Sequence, residues 1–296
     1  TTTKYYADGV NSSGNTQSGL NAAFENVESG STVTVLGGSS VTAYLDGGKA
    51  LTLDLNGKSI STIYVGRDNT YTGSKLTVRG SGTVESLHVH AQNYVELTSG
   101  EYGVIRVYST IAIKDLLAEG YALRVKDGLY YPSASTITNQ GTLENVTVVA
   151  CPHSSISGEG TCDYCGMTGI KAVLTKADGS ATAYTDMETA KSDWLRDGGT
   201  LKLYDNYTDA DGEIEWAGNK TITLDLNGHT FSRDGSINIT GHNLTIMDSK
   251  TGGQFNTNLI VPTGTAAKHG SLTLLGGHIQ KLTVQANTYA TVSLEG

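Results

Sequence analysis

The three cysteines of this 296-residue chain fall in one short stretch, Cys151-Pro152-His153 followed by Cys162-Asp163-Tyr164-Cys165-Gly166, with a Ser/Gly-rich loop between. Two short ligand pairs, Cys-x-His and Cys-x-x-Cys, on a flexible loop can wrap one tetrahedral ion, and three thiolates plus an imidazole match a closed structural zinc site. Cys151, His153, Cys162 and Cys165 are therefore the expected ligands and zinc the expected ion. Such a set leaves no position for water, so catalysis at the metal is not expected. A Cys162/Cys165 disulfide, or a redox-active Cys-x-x-Cys, are the competing readings; the odd cysteine count and the interposed histidine favour a metal.

Hydrolysis or elimination on a polysaccharide needs converging carboxylates, and here they are scattered. Asp54 and Asp225 occupy equivalent places in two similar segments and read as outward, solvated strand charges that tolerate Asn. The densest acidic run, Asp205, Asp209, Asp211, Glu213 and Glu215, reads as a solvated loop, with a calcium loop as the alternative. His88 and His90 flank Val89 and share a face; the wet side of a strand is the plain reading, a metal or sugar contact the sharper one. His229, His242, His269 and His278 are isolated in sequence. Tyrosines are denser: Tyr94, Tyr102, Tyr108, Tyr121, Tyr130 and Tyr131 crowd one region beside Arg106, Arg124 and Lys126. Tyrosine combines an apolar face with a polar rim, which sugar and protein surfaces require. Tyr102, Tyr108, Tyr121, Tyr130, Tyr131, Arg106 and Arg124 are thus candidate ligand-binding residues; stacking in place of the scarce Phe is the structural alternative.

The elements that must position these groups follow from repetition. Leu51-Thr52-Leu53-Asp54-Leu55-Asn56-Gly57 returns as Ile222-Thr223-Leu224-Asp225-Leu226-Asn227-Gly228, and residues 95–107 align without a gap with residues 272–284. Two homologous units, 1–150 and 167–296, are expected on either side of a 151–166 linker. Within each, short alternating segments recur at intervals of one solenoid coil, with two or three strands per coil, the series in the first unit including Ile111 to Ile113. Alternation puts Leu51, Leu53 and Leu55 inside. One amphipathic helix precedes each series. Leu20, Ala23, Phe24 and Val27 mark the first; Met187, Ala190, Trp194 and Leu195 mark the second, with Thr185 and Glu188 as a capping box. Both helices are expected to cover the open first coil. The rival fold is a pair of β-sandwiches, in which Asn56-Gly57 and Asn227-Gly228 would be hairpin turns.

Composition agrees with short strands and tight turns, since 37 Gly and 16 Tyr stand against 3 Pro and 3 Phe. A net charge of −9 opposes nucleic acid and anionic bilayers, both of which need a positive footprint. The chain has no long apolar run for membrane insertion and its first residues lack the apolar core of a secretion signal, so it reads as an excised segment. Oligomeric state has no signature here.

The phrases LTLDLNGKSI, ITLDLNGHTF and LENVTV, at residues 51–60, 222–231 and 143–148, resemble the pectin-lyase-like parallel β-helix family, especially its repeats in large surface proteins of Gram-positive bacteria. The resemblance covers most of the chain. It implies an all-β fold of two right-handed parallel β-helix units, each with an N-terminal capping helix, joined by a small zinc knuckle. In such surface proteins a similar Cys-x-His and Cys-x-x-Cys-Gly insertion recurs between repeats, which suggests a staple. The family includes polysaccharide lyases, glycoside hydrolases, phage tailspikes and non-catalytic adhesins, so fold alone does not choose a function. The expected role is a non-catalytic, extracellular or cell-surface scaffold or adhesin, with a glycan or host protein as ligand. A carbohydrate-active enzyme, or a module attached to one, is the alternative.

Overall fold

The structure, a computed structural model, describes residues 2–6, 19–37, 39–210, 220–239, 241–262, 270–285 and 291–294. It is mostly strand and forms a parallel β-solenoid of about 10 turns. The chain divides into two compact units, residues 1–151 with 163–166, and residues 152–162 with 167–296.

In the first unit, β1 (Thr2–Tyr6) and helix α1 (Leu20–Asn26) precede β2 (Thr32–Gly37) and β3 (Ser39–Leu45). Then come β4 (Ala50–Asp54), β5 (Lys58–Val65), β6 (Lys75–Arg79), β7 (Gly82–Val89), β8 (Tyr94–Leu97) and β9 (Glu101–Val107). The chain alternates between two sheets: β1, β2, β4, β6 and β8 form one parallel sheet, and β3, β5, β7 and β9 run parallel in the other. Each coil therefore has two strands, and the register advances by about 20 to 25 residues per coil, a usual solenoid repeat.

Alternation selects the core. Val33, Leu53, Val78 and Leu97 pair in register as one interior column, and Leu45, Val65, Val89 and Val107 as the facing one. All eight are fully buried. Stacking supplies what no single coil could, a continuous apolar column removed from water.

The two corners of a coil differ. One is short in every coil: residues 55–57 join β4 to β5, 80–81 join β6 to β7, and 98–100 join β8 to β9. At the first of these Asn56 and Gly57 are both left-handed, with φ of 49° and 70°. The Asn56 amide donates to the Val35 carbonyl of the preceding coil at 2.9 Å, and Asp54 Oδ1 accepts from Asn56 N at 3.1 Å. Asn-Gly thus turns a solenoid corner between sheets instead of closing a hairpin. The other corner varies in length, from residues 90–93 after β7 to residues 66–74 after β5.

The parallel pattern stops after β9. Ile111 and Ala112 form β10, which pairs antiparallel with β12 (Thr136–Ile137), and Ile113 begins a 3-10 turn; this corrects the expectation of a solenoid rung at Ile111 to Ile113. Among the described residues only the Leu97–Leu117 bridge continues the first sheet. The second sheet ends on antiparallel β13 (Thr142–Ala150) and β11 (Tyr121–Arg124).

The second unit opens on an antiparallel hairpin, β14 (Ala172–Thr175) and β15 (Ala181–Tyr184), followed by α2 (Met187–Asp197). Strands β16 (Gly199–Leu203), β18 (Thr221–Asp225), β20 (Asn243–Met247), β22 (Ser271–Leu274) and β24 (Thr291–Leu294) extend that sheet in parallel, and β14 pairs antiparallel with β16. The facing sheet holds β17 (Tyr207–Asp209), β19 (Thr230–Asn238), β21 (Gln254–Val261) and β23 (His278–Val284), all parallel. Leu201, Leu224 and Ile246 stack in register as an interior column. The corner of the first unit is repeated: Asn227 has φ 47°, its amide donates to Leu203 O at 2.7 Å, and Asp225 accepts from Asn227 N at 3.0 Å.

Leu20, Ala23 and Phe24 of α1 are buried, with its contacts mainly to β3. Lys49 Nζ donates to the last carbonyls of α1, reaching Phe24 O at 3.2 Å and Val27 O at 3.1 Å as well as Glu25 O, which satisfies groups the helix end leaves open. In α2 the cap is Asp186, not Thr185: its carboxylate accepts from Thr189 N at 2.8 Å and from Thr189 Oγ1 at 2.6 Å. Glu188 is thereby released to bind Tyr207 and Lys191.

Candidate functional site

The 151–166 segment gathers its chemistry by local turns. Cys151 N donates to Gly120 O at 2.8 Å as β13 ends. His153 takes a left-handed φ of 45°, which reverses the chain after Pro152. Ile156 and Cys162 pair as an antiparallel bridge, and Cys162 N donates to Met167 O at 2.8 Å. Gly166, at φ 75°, lies so close to Lys114 and Ser133 that a side chain there would press on both Cβ atoms at 3.2 and 3.3 Å.

The result brings all four expected ligands together. Cys151, His153, Cys162 and Cys165 are buried, and one donor atom from each lies within 4.8 Å of the others. No disulfide joins these three cysteines. Bonds of about 2.3 Å to a tetrahedral ion put sulfurs about 3.8 Å apart, so small side-chain rotations close this cage around a metal. Buried soft donors of this kind fit a divalent ion better than they fit an empty apolar core, because a thiolate removed from water needs a compensating charge.

A second feature lies on the outward face of β3, β5, β7 and β9. Tyr44, Tyr64, His88 and Arg106 are in register across these strands. Tyr44 and Tyr64 stack with centroids 5.1 Å apart, Tyr64 and His88 at 4.3 Å, and His90 and Tyr108 at 3.9 Å. His88 Nδ1 lies 3.1 Å from the Tyr108 hydroxyl, and Arg67 sits 4.6 Å over the Tyr44 ring at one end of the ladder. Burial, with Arg106 and His90 nearby, holds the His88 imidazole below its usual pKa. Burial also lowers that of His90, against the opposing pull of Asp68 and Asp46. Both shifts favour the neutral imidazole.

The tyrosine candidates are not one site. Tyr102 is a core residue, 1% exposed, with its hydroxyl donating to Ser99 O at 3.0 Å; its place on β9 points inward, which corrects its assignment to ligand binding. Tyr121 and Tyr131 are half-buried and pack on the same core. Tyr130 stacks against Tyr164 at 4.7 Å, and Arg124 is exposed on β11. Arg106 and Tyr108 come together, 5.8 Å apart, at the edge of the ladder, and Arg124 and Tyr130 pair as an antiparallel bridge. Tyr44 and Tyr64 escaped notice because they lie one and two coils away in sequence, and only the strand register reveals that they align with His88.

The acidic residues need two corrections. Asp209 is buried, not solvated. It ends β17 and accepts from Lys191 Nζ at 2.5 Å, from the Tyr207 hydroxyl at 2.9 Å and from buried Arg233. Burial raises its pKa, but the hydrogen bonds from Lys191, Tyr207 and Arg233 outweigh this and hold the carboxyl below its usual value. Asp225 is also buried, at 4% exposure, because it accepts from the amides of Asn227 and Ser249 at the coil corner. Asp54 in the equivalent place is half-buried and pairs with Arg79 at 3.3 Å. Asp205 is exposed, while Asp211, Glu213, Glu215 and His269 lie outside the described residues.

Comparison with protein-family profiles, with curated proteins and with solved structures returns no match.

Proposed function

We propose that this chain is a non-catalytic segment of a bacterial cell-surface or secreted protein, a right-handed β-helix of the pectin-lyase-like kind that binds or presents ligands along its outer faces. Right-handedness follows the strong preference of parallel crossover connections. The helices α1 and α2 act as caps over the first coils, α1 packing mainly on β3, the last strand of its sheet, and α2 mainly on β14 and β16. The 151–166 segment holds a structural zinc, which suits an oxidising exterior because a bound thiolate is protected from disulfide chemistry.

The observation that carries the binding role is the ladder of Tyr44, Tyr64, His88 and Tyr108. Stacked rings present their edges outward, so hydroxyls and imidazole nitrogens form a row spaced by the coil repeat, a comb suited to an extended ligand. The enzyme alternative would have to run through Asp209, the most elaborately held carboxylate. That group is neutralised by two cations and buried, which ill suits a proton-transfer role toward a substrate.

The test is a binding screen of the purified chain against glycans and host matrix proteins, repeated with Tyr64→Ala. Binding weakened at least tenfold by Tyr64→Ala, with no release of reducing ends or unsaturated products, is expected. Turnover abolished by a single carboxylate substitution would replace this reading with the enzyme.

A further inference from the structure

A cavity of about 590 Å3 opens in the first unit beside β8. It lies where the next coil fails to form: among the described residues the chain beyond β8 rejoins that sheet only through the Leu97–Leu117 bridge, and residues 109–111 and 114–117 line the space beside Tyr94, Val95 and Glu96. Val89, Val95, Leu116 and Leu117 make an apolar floor. The rim is polar, with Gln92, Thr110, Lys114 and Asp115 exposed.

Three observations point to an occupant. Tyr94 is 62% exposed at the cavity wall and has no ring or cation stacked on it among the described residues. The turn that precedes it is held in place: Asn93 is buried, donating to Tyr71 O at 2.7 Å and to Ala91 O at 3.1 Å while accepting from Ser74 N at 2.9 Å. Lys114 and Asp115 make no ion pair among the described residues, unlike Lys75 and Glu96 opposite, which pair at 2.5 Å. An exposed aromatic face, with donors and acceptors mixed on one rim, matches a ligand whose rings are apolar on their faces and carry hydroxyls that both donate and accept.

We infer that this cavity is a saccharide-binding site for a short oligosaccharide, with Tyr94 as the stacking platform and Lys114 and Asp115 as hydroxyl partners. Its volume lies within the about 300–1,000 Å3 usual for small-ligand sites, enough for two or three sugar rings. Asn93 orders the turn that carries the platform, which limits the backbone entropy lost on binding. The inference deepens the binding role proposed above but does not depend on the aromatic ladder.

The experiment is titration calorimetry of the full chain with cellotriose, chitotriose, maltotriose and trigalacturonate, with ligand-observed NMR. At least one trisaccharide should bind at millimolar or lower concentration. Tyr94→Ala and Asp115→Asn should each weaken it at least tenfold, whereas Leu129→Ala, at an exposed side chain outside the cavity lining, should leave it unchanged. All three altered side chains are exposed, and an unaltered melting temperature would show that folding is intact. Absence of binding by all four sugars, binding indifferent to Tyr94→Ala, or a cavity occupied by an extended peptide in preference to any sugar would each overturn the inference. Loss with Tyr64→Ala alone would place the sugar on the ladder and equally end the assignment to this cavity.

Discussion

Asp209 joins two elements through one carboxylate, because Lys191 comes from α2 and Arg233 from β19. Removing it leaves the buried Arg233 guanidinium without its counter-charge among the described residues, while Lys191 keeps only Glu188. Asp209→Ala should therefore destabilise the second unit by about 3–5 kcal/mol, the usual cost of breaking a buried pair from one side, read as a lower denaturant midpoint. The sign with pH follows from its depressed pKa. The stabilisation is complete above the unfolded value near about 3.9 and is lost as pH falls through the lower folded value. The variant's disadvantage should accordingly shrink only in strong acid. A different residue-scale expectation concerns the metal. Elemental analysis should return about one zinc per chain, and Cys162→Ser should weaken metal retention while leaving both cores folded, as zinc content and far-UV circular dichroism would report. Metal-free protein with a Cys162/Cys165 disulfide would contradict it.

The aromatic ladder is a property of strands in register, and its pH response follows from that. Both His88 and His90 have folded pKa values below the unfolded value of about 6.5. The stability they contribute is present above that value and is withdrawn as pH falls toward the folded values. The melting temperature of the chain should thus drop on moving from about pH 7.5 to about pH 5.5, and His88→Gln should flatten part of that slope; an identical slope in the variant would exclude the ladder as its source. Some of this architecture was legible in the sequence. The duplicated Leu-Asp-Leu-Asn-Gly phrase marked the corners and the buried Leu53 and Leu224, and apolar spacing marked both helices. Composition and alternation could not show the break after β9, because Ile111 to Ile113 has the same pattern as a true rung. Nor could they show that Asp209 is buried, since its partners Lys191 and Arg233 are far away in sequence. The four residues of the buried Cys/His cluster were legible because their spacing is local, whereas the ladder is spread over four coils.

At the scale of the whole molecule, each unit owns an apolar column, with Leu53 fully buried in one and Leu224 1% exposed in the other. Leu→Ala at either should cost about 2–5 kcal/mol. Expressed separately, residues 1–150 and 167–296 should each show a cooperative melt, since solenoid stability is built from neighbouring coils. Failure of both pieces to fold would mean that the cores are not self-sufficient. The inequality of the two corners has a practical consequence. Residues 66–74 already absorb extra length that residues 90–93 do without, and residues 67–73 are exposed, whereas the Asn56 corner is tied to the coil before it. A foreign epitope spliced after Thr72 would ride on the outside of an unaltered scaffold, because lengthening an exposed loop adds little closure entropy. The same graft at Gly57 would sever the tie between successive coils. The first site is thus a natural port for display engineering, and the second is not.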